Sequence, residues 1–383
     1  MKRRKERNPV RWILLTGLVV LLFTLGNRRD TFAYACALNG QIGAYYTVST
    51  AALLMGFFGH IILHEAGHLV FGLLSGYRFS FFRIFSFMLM QEDGRFILRR
   101  YAIPGTAGQC MMAPPPFRDG KMPVVLYNMG GCIINLLTSL MCFLLAGLAP
   151  RAGALEWSLW IWGVISLYAG LSNAIPQRLK VGANDGSNTC SLLQDTEARW
   201  AFWLTLEINH RILQGQSLTG MPAEWFAMPE QEQMKNAMIA NRAVSYVGRL
   251  LEEGRTEEAD ILMAELIVGD NAISPANKGL MQMNRLWLEV MGQNRPEVVA
   301  QLRTNELKKT MKLLRKFPEV IRMEYALAVL VDHDPKKAKK CLDRFARVAR
   351  KYAYRLTVEQ ERKAIQMVVD KDLSLQERKN MIG

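Results

Sequence analysis

The chain has 383 residues, half of them hydrophobic, with 48 Lys and Arg against 34 Asp and Glu and a formal charge of +14. That apolar content excludes a disordered chain, and six cysteines over this length are too sparse for a disulfide scaffold. The mean hydropathy of +0.04 suits neither half of the chain, because 18 of the basic residues but only 8 of the acidic ones precede residue 191, leaving 30 and 26 after it. An apolar half is joined to a densely charged one.

In chain order, Lys2, Arg3, Arg4, Lys5 and Arg7 precede an apolar run over 12–26. The run is shorter than the about twenty residues of an ordinary span. With Ala33-Tyr34-Ala35 downstream, it reads either as a retained membrane helix or as a signal peptide with its cleavage site. Three longer apolar runs follow, over 44–76, 123–149 and 155–175. The positive-inside rule puts the first basic cluster in the cytoplasm. Alternation then puts 77–122 on the same side, with Arg78, Arg83, Arg95, Arg99, Arg100, Arg118 and Lys121, and leaves only Arg28, Arg29 and Arg151 outside. The expected fold is an α-helical polytopic membrane protein with about four transmembrane helices and a β-hairpin insertion, followed by an all-α soluble domain. It is expected in the cell membrane as a multi-pass protein with both termini cytoplasmic. Its predicted parts are residues 1–43 (basic segment, first helix, outer loop), 44–192 (membrane core), 193–233 (connecting helix and linker) and 234–383 (helical domain).

The second run contains His64-Glu65-Ala66-Gly67-His68. On a helix, positions four apart share a face, so both imidazoles can hold one Zn²⁺ while Glu65 acts as general base. Ionisable groups inside a membrane helix are expensive and functional by default. His60 lies one turn earlier on the same stripe, either as a further ligand or as a hydrogen-bonding or packing residue. A catalytic zinc site normally takes three protein ligands. Topology brings Asp185 to the side on which His68 lies, after the fourth run ends at Ser172-Asn173-Ala174-Ile175-Pro176. Asp185 reads either as the third ligand or as a cap or turn residue with Gly186; beside His64 and His68, the ligand reading is preferred.

An H-E-x-x-H helix, followed about a hundred residues later by Asn173-x-x-Pro176 and then Asp185-Gly186, resembles the site-2 protease family of intramembrane zinc metalloproteases. The similarity spans roughly 44–192. It implies His64, His68 and Asp185 as zinc ligands, Glu65 as general base, and Asn173 near the substrate or the reacting carbonyl. The stretch from Asn128 to Asn135, with Gly130 and Gly131, is similar to the family's glycine-plus-asparagine helix. Glycine pairs let membrane helices approach closely, and Asn135 needs a polar partner, so it stands as a second candidate substrate-side residue. Two departures from the family pattern stand out: residues 177–184 intervene between Pro176 and Asp185, and Ser187 replaces a second glycine.

Residues 77–103 read as two strands around Asp93-Gly94, either an edge to which a substrate adds as a strand or a structural lid. In the charged half, Trp200 and Trp203 mark a membrane-surface or packing helix. Turns are predicted at Glu253-Gly254-Arg255, Gly292-Gln293-Asn294 and Asp332-His333-Asp334-Pro335. Their spacing of about forty residues fits either a tetratricopeptide-like array or a single irregular helical domain. The basic run from Lys336 to Arg355 is read as a solvated face or a contact for anionic lipid, and nucleic acid is not an expected partner. The expected function is hydrolysis of a peptide bond within or next to a transmembrane segment, in regulated intramembrane proteolysis or peptide maturation. Its partners would be the lipid bilayer, a membrane-protein or membrane-anchored peptide substrate, and a protein bound by the helical domain. The alternative is an inactive membrane scaffold or metal sensor.

Overall fold

The computed structural model describes residues 28–382 except 93, 180 and 181, together with Gly17. The predicted first run therefore lies, Gly17 apart, outside the described residues. Among the described residues the protein is mostly helical, with a small antiparallel β component and three helices long and apolar enough to cross a membrane. It divides into two compact units. The first comprises residues 1–84, 107–115 and 122–194; the second comprises 85–106, 116–121 and 195–383.

The first unit is built on α1 (Ile42–Leu74), α2 (Val125–Leu148) and α3 (Ala154–Ala174). At 1.5 Å per residue, α1 is about 50 Å long, well beyond the roughly 30 Å hydrocarbon core of a bilayer. Between apolar helices in lipid, small residues and polar side chains take over from hydrophobic attraction. Accordingly, Ser139 Oγ donates to the Gly163 carbonyl at 2.8 Å, Trp162 Nε1 to the Ala52 carbonyl at 3.0 Å and Trp157 Nε1 to Ser49 Oγ at 2.7 Å. Gly67 and Gly130 face each other so closely that a Cβ on either would overlap the other's backbone. A helix over 28–38 packs Phe32 and Cys36 against Ala52, Trp157 and Ile161. Arg28 there pairs with Glu156 at 2.6 Å, and Glu156 also accepts from the Ala152 N–H at 2.7 Å.

The predicted long strand after residue 77 is instead two. β1 (Arg78–Ile84) ends at Phe85, whose φ of 52° lies in the left-handed region, and β2 (Phe87–Glu92) follows. β2 pairs with β3 (Arg95–Arg100) as the expected hairpin, with Gly94 at φ 75° supplying the turn. β1 pairs antiparallel with β4 (Gly108–Ala113), a strand absent from the sequence reading, whose apolar stretch is short and flanked by glycine and proline. Arg83 on β1 is fully buried and donates to the Gly108 carbonyl at 3.1 Å. Its charge, read above as a mark of membrane sidedness, thus ties two strands together. After α3, the short strands β5 (Arg178–Leu179) and β6 (Gly182–Ala183) lead into α4 (Asp185–Gln194).

The second unit contains the β2–β3 hairpin and the carboxy-terminal helices. α5 (Thr196–Leu213) starts on Asp195, whose carboxylate accepts from the Glu197 and Ala198 N–H groups. Trp200 and Trp203 stack at 5.1 Å and pack toward Trp225 and Phe226, so this helix uses its indoles inside the protein. α6 (Ala237–Glu252), α7 (Thr256–Val268), α8 (Pro275–Met291), α9 (Pro296–Leu302), α10 (Asn305–Leu313), α11 (Pro318–Leu330), α12 (Pro335–Ala349) and α13 (Arg355–Ile382) follow. The three predicted turns separate α6 from α7, α8 from α9 and α11 from α12, with Gly254, Asn294 and His333 at positive φ. Asp334 caps α12 through the Lys337 N–H, and Pro335 occupies its first turn.

α11 is the hub, buried along most of its length among α8, α12 and α13. Lys371 of α13 donates to the last carbonyls of α8, those of Val290, Met291 and Gly292, at 3.1, 2.9 and 2.7 Å. Units of a linear repeat array touch only their neighbours. This return contact favours the single irregular helical domain.

Arg322 on α11 lies over the Trp287 ring at 3.9 Å and bonds Glu361 of α13 at 2.7 Å. Glu319, one turn earlier, has an Oε2 sealed from solvent without a hydrogen-bond partner. Burial, reinforced by the charge of Glu361, pushes its carboxyl up to about 7. An acid whose folded value is raised stabilises the fold below its unfolded value and loses that contribution as pH climbs through the folded one. Relative to Glu319→Gln, the wild-type unfolding midpoint should therefore fall between about pH 5 and 8 and then level off, a loss on the order of 3 kcal/mol. Thermal unfolding of both proteins across that range measures it.

Candidate metal centre

His64 and His68 lie one turn apart on α1, and the start of α4 brings Asp185 against them. His64 Nε2 is 3.1 Å and His68 Nε2 is 3.6 Å from Asp185 Oδ2, and the two Nε2 atoms are 3.3 Å apart. Tetrahedral zinc with bonds of about 2.0–2.1 Å places its ligand atoms about 3.3 Å from one another. The three side chains thus already form one face of such a tetrahedron, and among the described residues they are the group of His, Cys, Asp and Glu that could hold a metal ion. They retain 15, 11 and 21 % exposure respectively, so the face is largely buried yet reachable.

The outer partners define what the imidazoles present. His68 Nδ1 lies 2.8 Å from the Tyr127 carbonyl, which can only accept, so Nδ1 carries a proton and Nε2 is the atom turned to the cluster. The amide of fully buried Asn135 lies 3.2 Å from His64 Nδ1, and its Oδ1 has no other partner. The two ends of an amide exchange by a flip. With Oδ1 toward the ring, Asn135 accepts from His64 Nδ1–H, and the orphaned oxygen is satisfied. Both Nε2 atoms and a carboxylate oxygen then converge on one point, an arrangement that could hold a cation. Metal-binding histidines characteristically donate their other N–H to a carbonyl or carboxylate in this way. The residues present therefore fit a bound zinc ion.

Asp185 is delivered by Asn184, which the sequence reading passed over as a loop residue. The buried Asn184 amide donates to the Ser172 and Ile175 carbonyls at 2.9 and 2.7 Å and accepts from the Gln177 and Ser187 N–H groups at 3.0 and 3.1 Å. One side chain thus closes the end of α3 and caps α4. Gly186 fits beneath it because a Cβ there would overlap the Ala174 carbonyl. Cys132 Sγ lies 3.7 Å from Asp185 Oδ2 and adds a weak donor.

Glu65 lies against β4. A Cβ on Gly108 would overlap its carboxylate, and the Cys110 backbone N–H meets its charge. Burial, with the nearby charge of Glu65, pushes the Cys110 thiol well up, so it stays a neutral thiol. Tyr127 ties these parts together: its hydroxyl donates to the Cys110 carbonyl at 3.0 Å, while its own carbonyl holds His68. His60 is absent from the cluster and pairs with Ser166 Oγ at 2.8 Å from Nδ1, a helix-packing contact. Asn173 donates to the Ala169 carbonyl of its own helix at 3.2 Å, not to the cluster. Asn135 stands behind His64, where it orients a ligand. Tyr127 and Cys132 were not foreseen; they sit among apolar neighbours and carry no spacing signal.

Asn135→Ala should weaken metal binding roughly 10- to 100-fold, the usual cost of losing an outer partner, while Asn173→Ala should leave it unchanged. Competitive chelator titration of the purified protein measures both.

No family model matches the chain, and no curated protein or solved structure matches it either.

Proposed function

We propose that this protein is an intramembrane zinc metalloendopeptidase of the site-2 protease kind, hydrolysing a peptide bond within or next to a membrane span. The observation that carries this reading is the convergence of His64 Nε2, His68 Nε2 and Asp185 Oδ2 at tetrahedral-edge distances, with Glu65 one residue from the first ligand. The helices around it are long and apolar enough to span a bilayer, and a buried charge cluster in such helices is there for function. When bound, zinc supplies Lewis acidity, activating water near neutral pH and stabilising negative charge that develops on the substrate oxygen.

The protein's own groups do the rest. Asn135 and the Tyr127 carbonyl hold the imidazoles in one tautomer. Glu65 takes a proton from water as the new carbon–oxygen bond forms, then passes it to the leaving amine nitrogen as the carbon–nitrogen bond breaks. The products are a carboxylate and an amine. Helix packing excludes lipid and limits water, and the substrate helix must open locally, since its peptide bonds are otherwise enclosed by their own hydrogen bonds. The basic loop over 77–122 is assigned to the cytoplasm by the positive-inside rule.

Two imidazoles and a carboxylate also suit ferrous iron, so elemental analysis is the first test: stoichiometric zinc is expected, and iron would redirect the chemistry. Glu65→Gln should keep the metal and lose roughly 10²- to 10⁴-fold in cleavage of a reconstituted single-span substrate. Metal bound without Glu65-dependent cleavage of any membrane protein, followed by quantitative membrane proteomics, would favour a metal sensor. Gly108→Ala, whose methyl group overlaps the Glu65 carboxylate, should likewise lower turnover while metal stoichiometry holds.

A further inference from the structure

The second unit carries a cavity of about 250 Å³ where the end of β3 meets α11 and α12. Four cations line it: Arg100, Lys316, Arg347 and Lys351. No carboxylate does. Elsewhere in this unit, Arg and Lys are repeatedly matched with acids, as in Arg285–Asp260, Arg295–Glu289 and Arg322–Glu361. A neighbouring groove of similar size has Arg303 and Lys337 both bound to Asp332. Arg100, by contrast, lies over the Phe87 ring at 3.7 Å and donates to Ser86 Oγ at 3.0 Å, and Arg347 Nε reaches the Asp343 carbonyl at 3.3 Å. These are neutral partners, and among the described residues none of the four cations forms an ion pair.

The floor is aromatic. Tyr101, Phe317 and Tyr352 form a triangle with ring centroids 5.7 to 6.3 Å apart. It is held rigidly, because the Arg100 N–H donates to the Lys351 carbonyl at 2.8 Å and the Tyr101 N–H to the Ser86 carbonyl at 3.1 Å. Phe317 is the residue before α11, so the chain enters that helix from the floor of the cavity.

We propose that this cavity is a binding site for a phosphate ester, its anion held by the four cations and its apolar or planar portion laid on the three rings. Guanidinium and ammonium groups are the usual partners of phosphate oxygens, and a ring floor gives stacking or apolar contact to what the phosphate carries. Two sources present this chemistry, a soluble nucleotide and an anionic phospholipid headgroup.

The test uses the full-length protein. ADP is titrated calorimetrically into the protein in neutral detergent. In parallel, hydrogen exchange of residues 98–103 and 345–353 is compared in bilayer discs of phosphatidylcholine with and without phosphatidylglycerol. Arg347→Gln with Lys351→Gln is set against Lys336→Gln with Lys340→Gln, an equal charge change on α12 outside the cavity. The expected result is binding of ADP, or protection dependent on phosphatidylglycerol, that falls roughly tenfold or more in the cavity variant and persists in the control. Which arm responds identifies the source. The proposal is overturned if neither arm responds, or if both variants lose binding equally, since the charge would then act as a diffuse surface. All four substituted side chains are exposed or at the rim, and an unchanged melting temperature verifies that the fold survives.

Discussion

The structure depends on the close crossing of α1 and α2 at Gly67 and Gly130. In a membrane there is no hydrophobic force between apolar helices, so backbone proximity must come from residues that leave room for it. The crossing does more than pack. Gly131, the next residue, lies where a Cβ would collide with the His64 ring, and Asn135, one turn further, reaches the other side of that ring. Any larger residue at the crossing would separate the ligand helix from the helix that orients it.

A second coupling runs through Tyr127. Its hydroxyl fixes β4 while its carbonyl fixes His68, so the strand that bounds Glu65 and an imidazole of the candidate metal cluster share one support. Buried polar networks of this sort are worth having only when each member is satisfied. Here His64, His68 and Asp185 meet at a point that could hold a cation. The site is thus organised around charge from both sides, with acceptors behind the imidazoles and a carboxylate in front of them.

Much of this was legible in the sequence, for reasons tied to particular residues. Histidines four apart inside an apolar run cannot be accidental packing at low cost, which made His64 and His68 readable. Asp185 was readable because so few acids lie nearby and chain topology returns it to the same side. The helix turns at Gly254, Asn294 and Pro335 were visible in their backbone chemistry. What was hidden depends on tertiary contact. Tyr127 acts through its main-chain carbonyl, which has no sequence signature. β4 is recognisable only beside β1, and the kink at Phe85 appears only where one apolar stretch serves two strands. Asn173 has the expected spacing, yet its amide turns back onto its own helix. Arg83 was counted in the sequence only for its charge, and its burial between β1 and β4 appears only in the fold.

The Asn184 clamp has a further consequence. Its four hydrogen bonds close the neck of the excursion that leaves α3 at Gln177 and returns at Asp185. Because both ends are tied at one side chain, the length of chain between them does not enter the position of the ligand. Loop-closure entropy rises only slowly with length, so extra residues cost little there. A change of length between those ends therefore adds little to the cost of holding the carboxylate in register with the two histidines.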